Sequence, residues 1–182
     1  DSAGFEDARR VSPTGAQRPR LSSHATQSLP LQGKSALVTG ASRGLGRFCA
    51  DRLVEKGYRV VGLGRTTDAK AGFEMREADV ADSQSVADAL RDLRRDKTVY
   101  ALINAAGIAS MNLVVTTPAD TVKRIIETNL LGTIFCSQQI APALIKRGSG
   151  RIINFSTLGV PLAIKGEAIY IASKAGVEGF TR

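Results

Sequence analysis

The chain has no tryptophan, a single histidine (His24), two cysteines (Cys49 and Cys136) and few aromatics, 5% of its 182 residues. Two cysteines cannot build a disulfide framework, their spacing is not that of a metal-binding pair, and the histidine lies in a polar stretch. No metal site is expected, and a reducing, cytoplasmic setting is the default. Long apolar runs are missing too. The strongest, Ala101–Ile108 and Leu158–Ile164, fall well short of the roughly 20 residues that span a bilayer, so no membrane partner is expected. Charge of one sign is not missing: 25 Lys and Arg against 17 Asp and Glu leave +8. That excess could meet a phosphorylated cofactor, an acidic carrier protein or nucleic acid. The basic residues are spread along the chain in short clusters such as Arg9–Arg10 and Arg94–Arg95, with few aromatics between them, which argues against nucleic acid. What is present in ordinary amounts is the 43% hydrophobic and 23% charged content of a soluble domain, which excludes wholesale disorder and fibrous repeats. A chain of this length buries roughly 70% of its surface on folding, enough for one core.

Residues 1–33 are rich in Ser, Arg, Gln, Pro and Gly, lack hydrophobic periodicity, and are predicted to be a disordered tail outside the fold. Their Arg and Ser content has a faint likeness to an organelle transit peptide, but Asp1, Glu6 and Asp7 argue against one. From Lys34 on, short apolar or β-branched runs alternate with helically spaced stretches, the pattern of a parallel α/β sheet with crossover helices. Strands are predicted at Ser35–Thr39, Arg59–Leu63, Phe73–Ala78, Val99–Asn104 and Arg151–Phe155. Helices are predicted at Leu45–Lys56, with Leu45, Phe48, Cys49 and Leu53 on one face, at Ser83–Leu93 behind an Asp82 cap, at Pro118–Arg147, and at Glu167–Phe180. Only eight or nine residues separate the second and third strands, too few for an ordinary crossover helix. Cys49 and Cys136 read as packing residues.

The turn after the first strand is Thr39-Gly40-Ala41-Ser42-Arg43-Gly44-Leu45-Gly46. Glycines there permit a tight strand-to-helix turn and close approach of the backbone to a pyrophosphate, which the free N–H groups and dipole of the next helix stabilise. The spacing is not GxGxxG, and three glycines also serve a plain turn; the strand before and the helix after them favour cofactor binding. At the end of the second strand, Leu63-Gly64-Arg65 offers no carboxylate where an adenosine ribose is read. An arginine there meets a 2′-phosphate, so Arg65, assisted by Arg43, points to NADP(H); the plain alternative is two surface arginines. The remaining constellation is Tyr170 and Lys174 in Tyr-Ile-Ala-Ser-Lys. On a helix, i,i+4 spacing puts both on one face, and an ammonium favours the phenolate of a phenol whose ordinary pKa is about 10. By itself the pair also fits a solvated helix face.

Together, TGASRGLG after the first strand, Asp79-Val80 after the third, Asn104-Ala105-Ala106-Gly107 after the fourth, Asn129 in the long helix and YIASK in the last one resemble the classical short-chain dehydrogenase/reductase family. The resemblance covers residues 34–182 and is strongest toward 3-oxoacyl-acyl-carrier-protein reductases and related carbonyl reductases. It implies a doubly wound parallel sheet of the Rossmann type and an NADP(H)-dependent interconversion of a carbonyl and a secondary alcohol on a small-molecule or acyl-thioester substrate. Gly40, Gly44 and Gly46, with Ser42, Arg43 and Leu45 of the same turn, would line the pyrophosphate. Arg65 would meet the ribose phosphate, Asp79 and Val80 would hold the adenine, and Asn104, Ala105, Ala106 and Gly107 would flank the cofactor. Tyr170 would be the catalytic acid/base, Lys174 would bind the nicotinamide ribose and favour the phenolate, and Asn129 would hold a water of the proton relay. A homo-oligomer built through the long helix and the catalytic helix is also implied.

Three departures qualify that picture. The family's catalytic serine falls on Thr157, with Ser156 beside it, and either hydroxyl could donate to a substrate oxygen. The segment between the second and third strands is short. The family continues past the equivalent of Arg182 through two more strands and a loop that closes over substrate, so residues 34–182 are expected to be a partial domain whose fifth strand is an exposed apolar edge. The first and last departures favour a different class of protein, a nucleotide-binding sensor without catalysis; the intact Tyr170, Lys174 and Asn129 favour the enzyme.

Overall fold

The computed structural model describes residues 33–182. The expected tail therefore lies, apart from Gly33, outside the described residues. Five parallel strands form one sheet in the order β3-β2-β1-β4-β5: β1 (Ser35–Thr39), β2 (Arg59–Gly64), β3 (Glu74–Glu77), β4 (Val99–Asn104) and β5 (Arg151–Asn154). β1 is central and every one of its residues is buried, as expected of a strand covered on both faces. The chain winds outward from β1 to β2 and β3, then returns to β4 and β5 on its other side. The direction of winding reverses between β1 and β4, and a crevice opens there at the carboxyl ends of the strands, where Thr39 pairs with Leu63 on one side and Asn104 on the other.

On one face Leu37, Val61, Leu63 and Leu102 pack against α2 (Ser83–Ala89) and α4 (Gly132–Arg147), which contribute Val86, Cys136, Ile140 and Leu144. On the other, Val38, Val60 and Ile103 meet α1 (Gly44–Glu55) through Ala50, with Cys49 and Leu53 half-buried beside it. The expected inner face of α1 needs correction. Leu45 and Phe48 are 52% and 61% exposed, and the buried positions are Gly46 and Ala50. The reason is the tight approach of the helix start to the preceding turn: a Cβ on Gly46 would lie 2.3 Å from the carbonyl oxygen of Gly40, so the smallest residue must face inward and rotates the larger ones outward.

β2 and β3 pair in parallel with only residues 65–73 between them and no helix, as the short spacing implied. Phe73 and Met75 cover this part of the sheet instead. Their ring and sulfur would stand 2.8 and 2.6 Å from a Cβ on Gly62, so that glycine makes room for them. The helix expected at Ser83–Leu93 stops as α2 at Ala89 and gives way to a 3-10 turn at Leu93–Arg95, although Val86, Leu90 and Leu93 all stay buried. Arg76 draws the Ala89 carbonyl out of the helix with a 2.7 Å hydrogen bond and grips Asp92 at 2.6 and 2.9 Å.

The long helix has two α segments, α3 (Ala119–Ile126) and α4, joined by a π-turn at Glu127–Leu131 that contains Asn129; it ends on Gly148 at φ 72°. α5 (Gly159–Leu162) is a single turn and α6 (Ala168–Thr181) carries the Tyr-Lys pair. The two sheet edges differ. β3 presents Glu74, Arg76 and Glu77, which discourage strand addition, whereas β5 leaves Ile153 45% exposed. No described helix is long and apolar enough to cross a membrane.

Candidate active site

The crevice at the winding reversal is a cleft of about 680 Å³ lined by the glycine turn, Leu63 to Arg65, Ala78 to Ala81 and Ala105 to Ile108. Its floor is set by close backbone packing. Gly40 has φ 68°, and a Cβ there would meet Ala106 Cα at 2.9 Å. The hydroxyl of Thr39 accepts the Ala106 amide at 3.0 Å, tying the ends of β1 and β4 together. α1 begins at the cleft with no side-chain cap and no acidic residue in its first turn, so its leading N–H groups are free to receive an anion. These features fit a pyrophosphate. Of the residues expected from sequence, Gly40, Ser42, Arg43, Gly44, Leu45, Gly46, Arg65, Asp79, Val80, Ala105, Ala106 and Gly107 all line the cleft.

Asp79 folds into its own turn, its carboxylate accepting Ala81 N at 3.0 Å and its amide donating to Ser85 at 3.1 Å. Asn104 is buried away from the cleft, where its amide donates to Asn154 (2.8 Å) and Ser137 (3.2 Å), bracing β4 against β5 and α4. Sequence reasoning missed Arg124, Glu127 and Thr128, which line the cleft from α3 and the π-turn. No local motif marks them.

Behind the cleft lies the second half of the site. Asn129 is fully buried; its Oδ1 accepts the Ile108 amide at 2.8 Å, and its Nδ2 donates to the Ile108 carbonyl at 2.9 Å and to Ser173 Oγ at 3.0 Å. Ser173 in turn donates to the Tyr170 carbonyl at 2.6 Å. The π-turn thus locks the loop after β4 to the first turns of α6. Ser173, between Tyr170 and Lys174, is a site residue that the Tyr-Ile-Ala-Ser-Lys motif contained without revealing its partner.

Lys174 is 7% exposed, and its Nζ donates to the Phe155 carbonyl at 2.8 Å and lies 6.0 Å from the centre of the Tyr170 ring. Burial pushes its ammonium below the ordinary lysine range. A Cβ on Gly107, which lines the cleft, would touch both Asn129 Oδ1 (3.3 Å) and Lys174 Nζ (3.8 Å), so these two groups stand just behind the cleft wall; the expected site residues Tyr170, Lys174, Asn129 and Thr157 do not themselves line it. Of the two candidate hydroxyls, Ser156 is exposed and donates to Glu178, while Thr157 Oγ1 accepts the Gly159 amide at 3.1 Å.

Residues 34–182 match the family model described as short chain dehydrogenase. The chain belongs to that family. This short-chain dehydrogenase is 35% identical over 162 residues to the 3-oxoacyl-acyl-carrier-protein reductase FabG of Staphylococcus epidermidis, covering 82% of the chain and 66% of the relative. It is 34% identical over 163 residues to the same-named protein of Salmonella typhimurium, covering 85% and 67%. Among solved structures, the ligand-free aldohexose dehydrogenase of Thermoplasma acidophilum superimposes with TM-score 0.78 at 30% identity over 83% of this chain and 60% of that one. A structure described as a short chain dehydrogenase/reductase family protein gives 0.77 at 32%, over 85% and 68%. The chain thus spans about two thirds of the length of its relatives, and the Rossmann-type fold is present in part.

Proposed function

We propose that this short-chain dehydrogenase is an NADP(H)-dependent oxidoreductase that interconverts a carbonyl and a secondary alcohol, with Tyr170 as acid/base. The observation that carries the reading is the buried ammonium of Lys174, one helical turn from Tyr170 and 3.8 Å from where a Cβ on the cleft-lining Gly107 would stand. A bound nicotinamide supplies or accepts the hydride. In reduction the Tyr170 hydroxyl delivers a proton to the carbonyl oxygen as the hydride reaches the carbon, giving the alcohol. Lys174 has two N–H groups beyond the one given to Phe155, free for a ribose hydroxyl and for the charge left on the phenol. Thr157 donates to the developing alkoxide, since its oxygen accepts the Gly159 amide and its own proton is left over; Ser156 is committed to Glu178. Asn129 holds the loop and α6 in register, its relay role resting on the family resemblance. Arg43 and Arg65 line the cleft where a 2′-phosphate would lie, which supports NADP(H) over NAD(H).

The substrate reading is an acyl thioester or similarly apolar carbonyl compound. Met111, Leu113, Val114, Leu158 and Leu162 are all exposed on two segments, before α3 and at α5, that the Asn112 amide joins at 2.9 Å to the Gly166 carbonyl. An apolar rim of this kind suits a hydrocarbon chain better than a polyol. The relatives named as 3-oxoacyl-acyl-carrier-protein reductases agree with it. A homo-oligomer through the long helix, about Pro118 to Arg147, and the catalytic helix α6 is expected from the family.

The test is steady-state reduction of a 3-oxoacyl thioester with Tyr170→Phe, Thr157→Val and Ser156→Ala. Tyr170→Phe and Thr157→Val should lose at least about a hundredfold in kcat, with NADPH affinity kept, and Ser156→Ala should stay within about twofold. Unchanged turnover in Tyr170→Phe would overturn the assignment in favour of a non-catalytic nucleotide-binding module.

A further inference from the structure

The segment between β2 and β3 does without the helix that a parallel connection ordinarily uses, yet it carries Arg65 into the cleft. Something else must hold it. Gly64 turns the chain so sharply that a Cβ there would meet the Thr66 carbonyl oxygen at 3.0 Å and Ser42 Cβ at 3.4 Å, which sets Arg65 beside the glycine turn. Three residues on, Asp68 is gripped by Arg47 of α1 at 2.9 Å, and its carboxylate also accepts the Lys70 amide at 2.9 Å. The Asp68 carbonyl accepts the Ala71 amide at 3.1 Å, and Ala71 is buried. The segment closes with Phe73, whose ring lies against Gly62 and under the Arg47 guanidinium, 5.5 Å from centroid to Cζ. Arg47 is itself oriented by Asp51, one helical turn along, at 3.0 and 3.1 Å. A single guanidinium therefore touches the carboxylate near the start of the segment and the ring at its end.

We propose that the Arg47–Asp68 pair is a clamp that substitutes for the missing crossover helix and presents Arg65 to the 2′-phosphate of NADP(H), making Arg47 and Asp68 positioning residues for cofactor selection. The proposal rests on the NADP(H) reading given above. Both side chains keep their charges through the neutral range: the Lys70 amide and Arg47 hold the Asp68 carboxyl below the usual carboxylate range, and Asp68 and Asp51 raise Arg47 further. Neither residue lines the cleft. Their influence on the cofactor must pass through the path of residues 65–73.

The sign of the Asp68→Asn effect separates the clamp from simple electrostatics. Removing a negative charge near a phosphate should tighten NADPH if only the field matters. If the clamp orients Arg65, the same change loosens it. Dissociation constants for NADPH and NADH, from fluorescence titration of the purified chain, give the measurement without recourse to turnover. Asp68→Asn and Arg47→Ala should each weaken NADPH roughly three- to tenfold, the size expected for losing a part-exposed ion pair and a cation–π contact. NADH, which has no 2′-phosphate, should change less than about twofold in both, and this also certifies that the variants fold. Tighter or unchanged NADPH binding in Asp68→Asn, or equal weakening of both cofactors, overturns the clamp. Arg65→Ala is the separate check on the cofactor reading. If it leaves NADPH affinity unchanged, the NADP(H) reading falls and the clamp with it; if it weakens NADPH while Asp68→Asn does not, the clamp alone falls.

Discussion

Asn129→Ala isolates the structural share of a residue expected to matter for catalysis. The wild-type side chain is fully buried and makes three hydrogen bonds, two to the peptide groups of Ile108 and one to Ser173. Alanine leaves three polar groups without their partner. Each lost bond costs about 1 kcal/mol, more where the orphaned group stays out of water, and Ile108 is half-buried and so recovers some hydration. The sum is roughly 2–4 kcal/mol, or a fall in Tm of about 5–15 °C for a chain of this size. Urea unfolding followed by circular dichroism reads it directly. Asn129→Asp is the companion variant: it keeps the shape, leaves no cavity, and turns the two donors into acceptors facing the Ile108 carbonyl and Ser173. It should be at least as destabilising as alanine. A loss below about 0.5 kcal/mol for alanine, or wild-type stability for aspartate, would refute the hydrogen-bond reasoning, since neither result is compatible with a buried amide serving three partners.

Gly46→Ala puts a Cβ 2.3 Å from one backbone atom and 2.7 Å from another of Gly40, neither of which can swing aside, so it should cost about 3 kcal/mol or more. Gly44→Ala faces open space and bears only a positive φ of 58°, a penalty of about 1 kcal/mol; equal stability of the two variants in urea would contradict the packing argument. Lys174 supplies a pH test. Its pKa is lowered in the folded state, so between that value and its unfolded value the unfolded chain binds more protons, and stability rises with pH across that window. The stability of wild type relative to Lys174→Met should therefore improve as pH rises through the alkaline range up to the ordinary lysine value of about 10.4, and a difference constant all the way to that value would mean that the ammonium is not desolvated. Thiol titration should find Cys136, fully buried with its thiol pushed up to about 12, unreactive in the native protein, and Cys49, half-buried, slowly reactive. Two rapidly reacting thiols without denaturant would show that the α4 face of the core is open.

Much of the fold was legible because the signals were local. Apolar runs marked the buried strands, glycine marked the turn, and the distance from Arg65 to Phe73 excluded a helix without any knowledge of tertiary contacts. The inner face of α1 was not legible. Periodicity alone favours Leu45 and Phe48 as core residues, and only the collision between Gly46 and the Gly40 carbonyl reveals that the helix is turned the other way. α2 ended early for a similar reason: its terminal carbonyl is taken by Arg76, a residue on another element.

The same division runs through the site. The order and spacing of Gly40, Gly44, Gly46, Tyr170 and Lys174 lie in the sequence by itself, because turn conformation and helical phase depend on near neighbours. With Asp79-Val80, Asn104-Ala105-Ala106-Gly107 and Asn129 they carry the family resemblance. Which of two adjacent hydroxyls is free, which carbonyl receives the lysine, and what anchors a connection without a helix were decided only by the tertiary structure. Ser156 meets Glu178, Lys174 meets Phe155, and Arg47 meets Asp68 across separations of 22, 19 and 21 residues. Hydrogen bonds and ion pairs act over a few ångströms, and the folded chain brings those atoms within reach where the sequence pattern carries no mark of it.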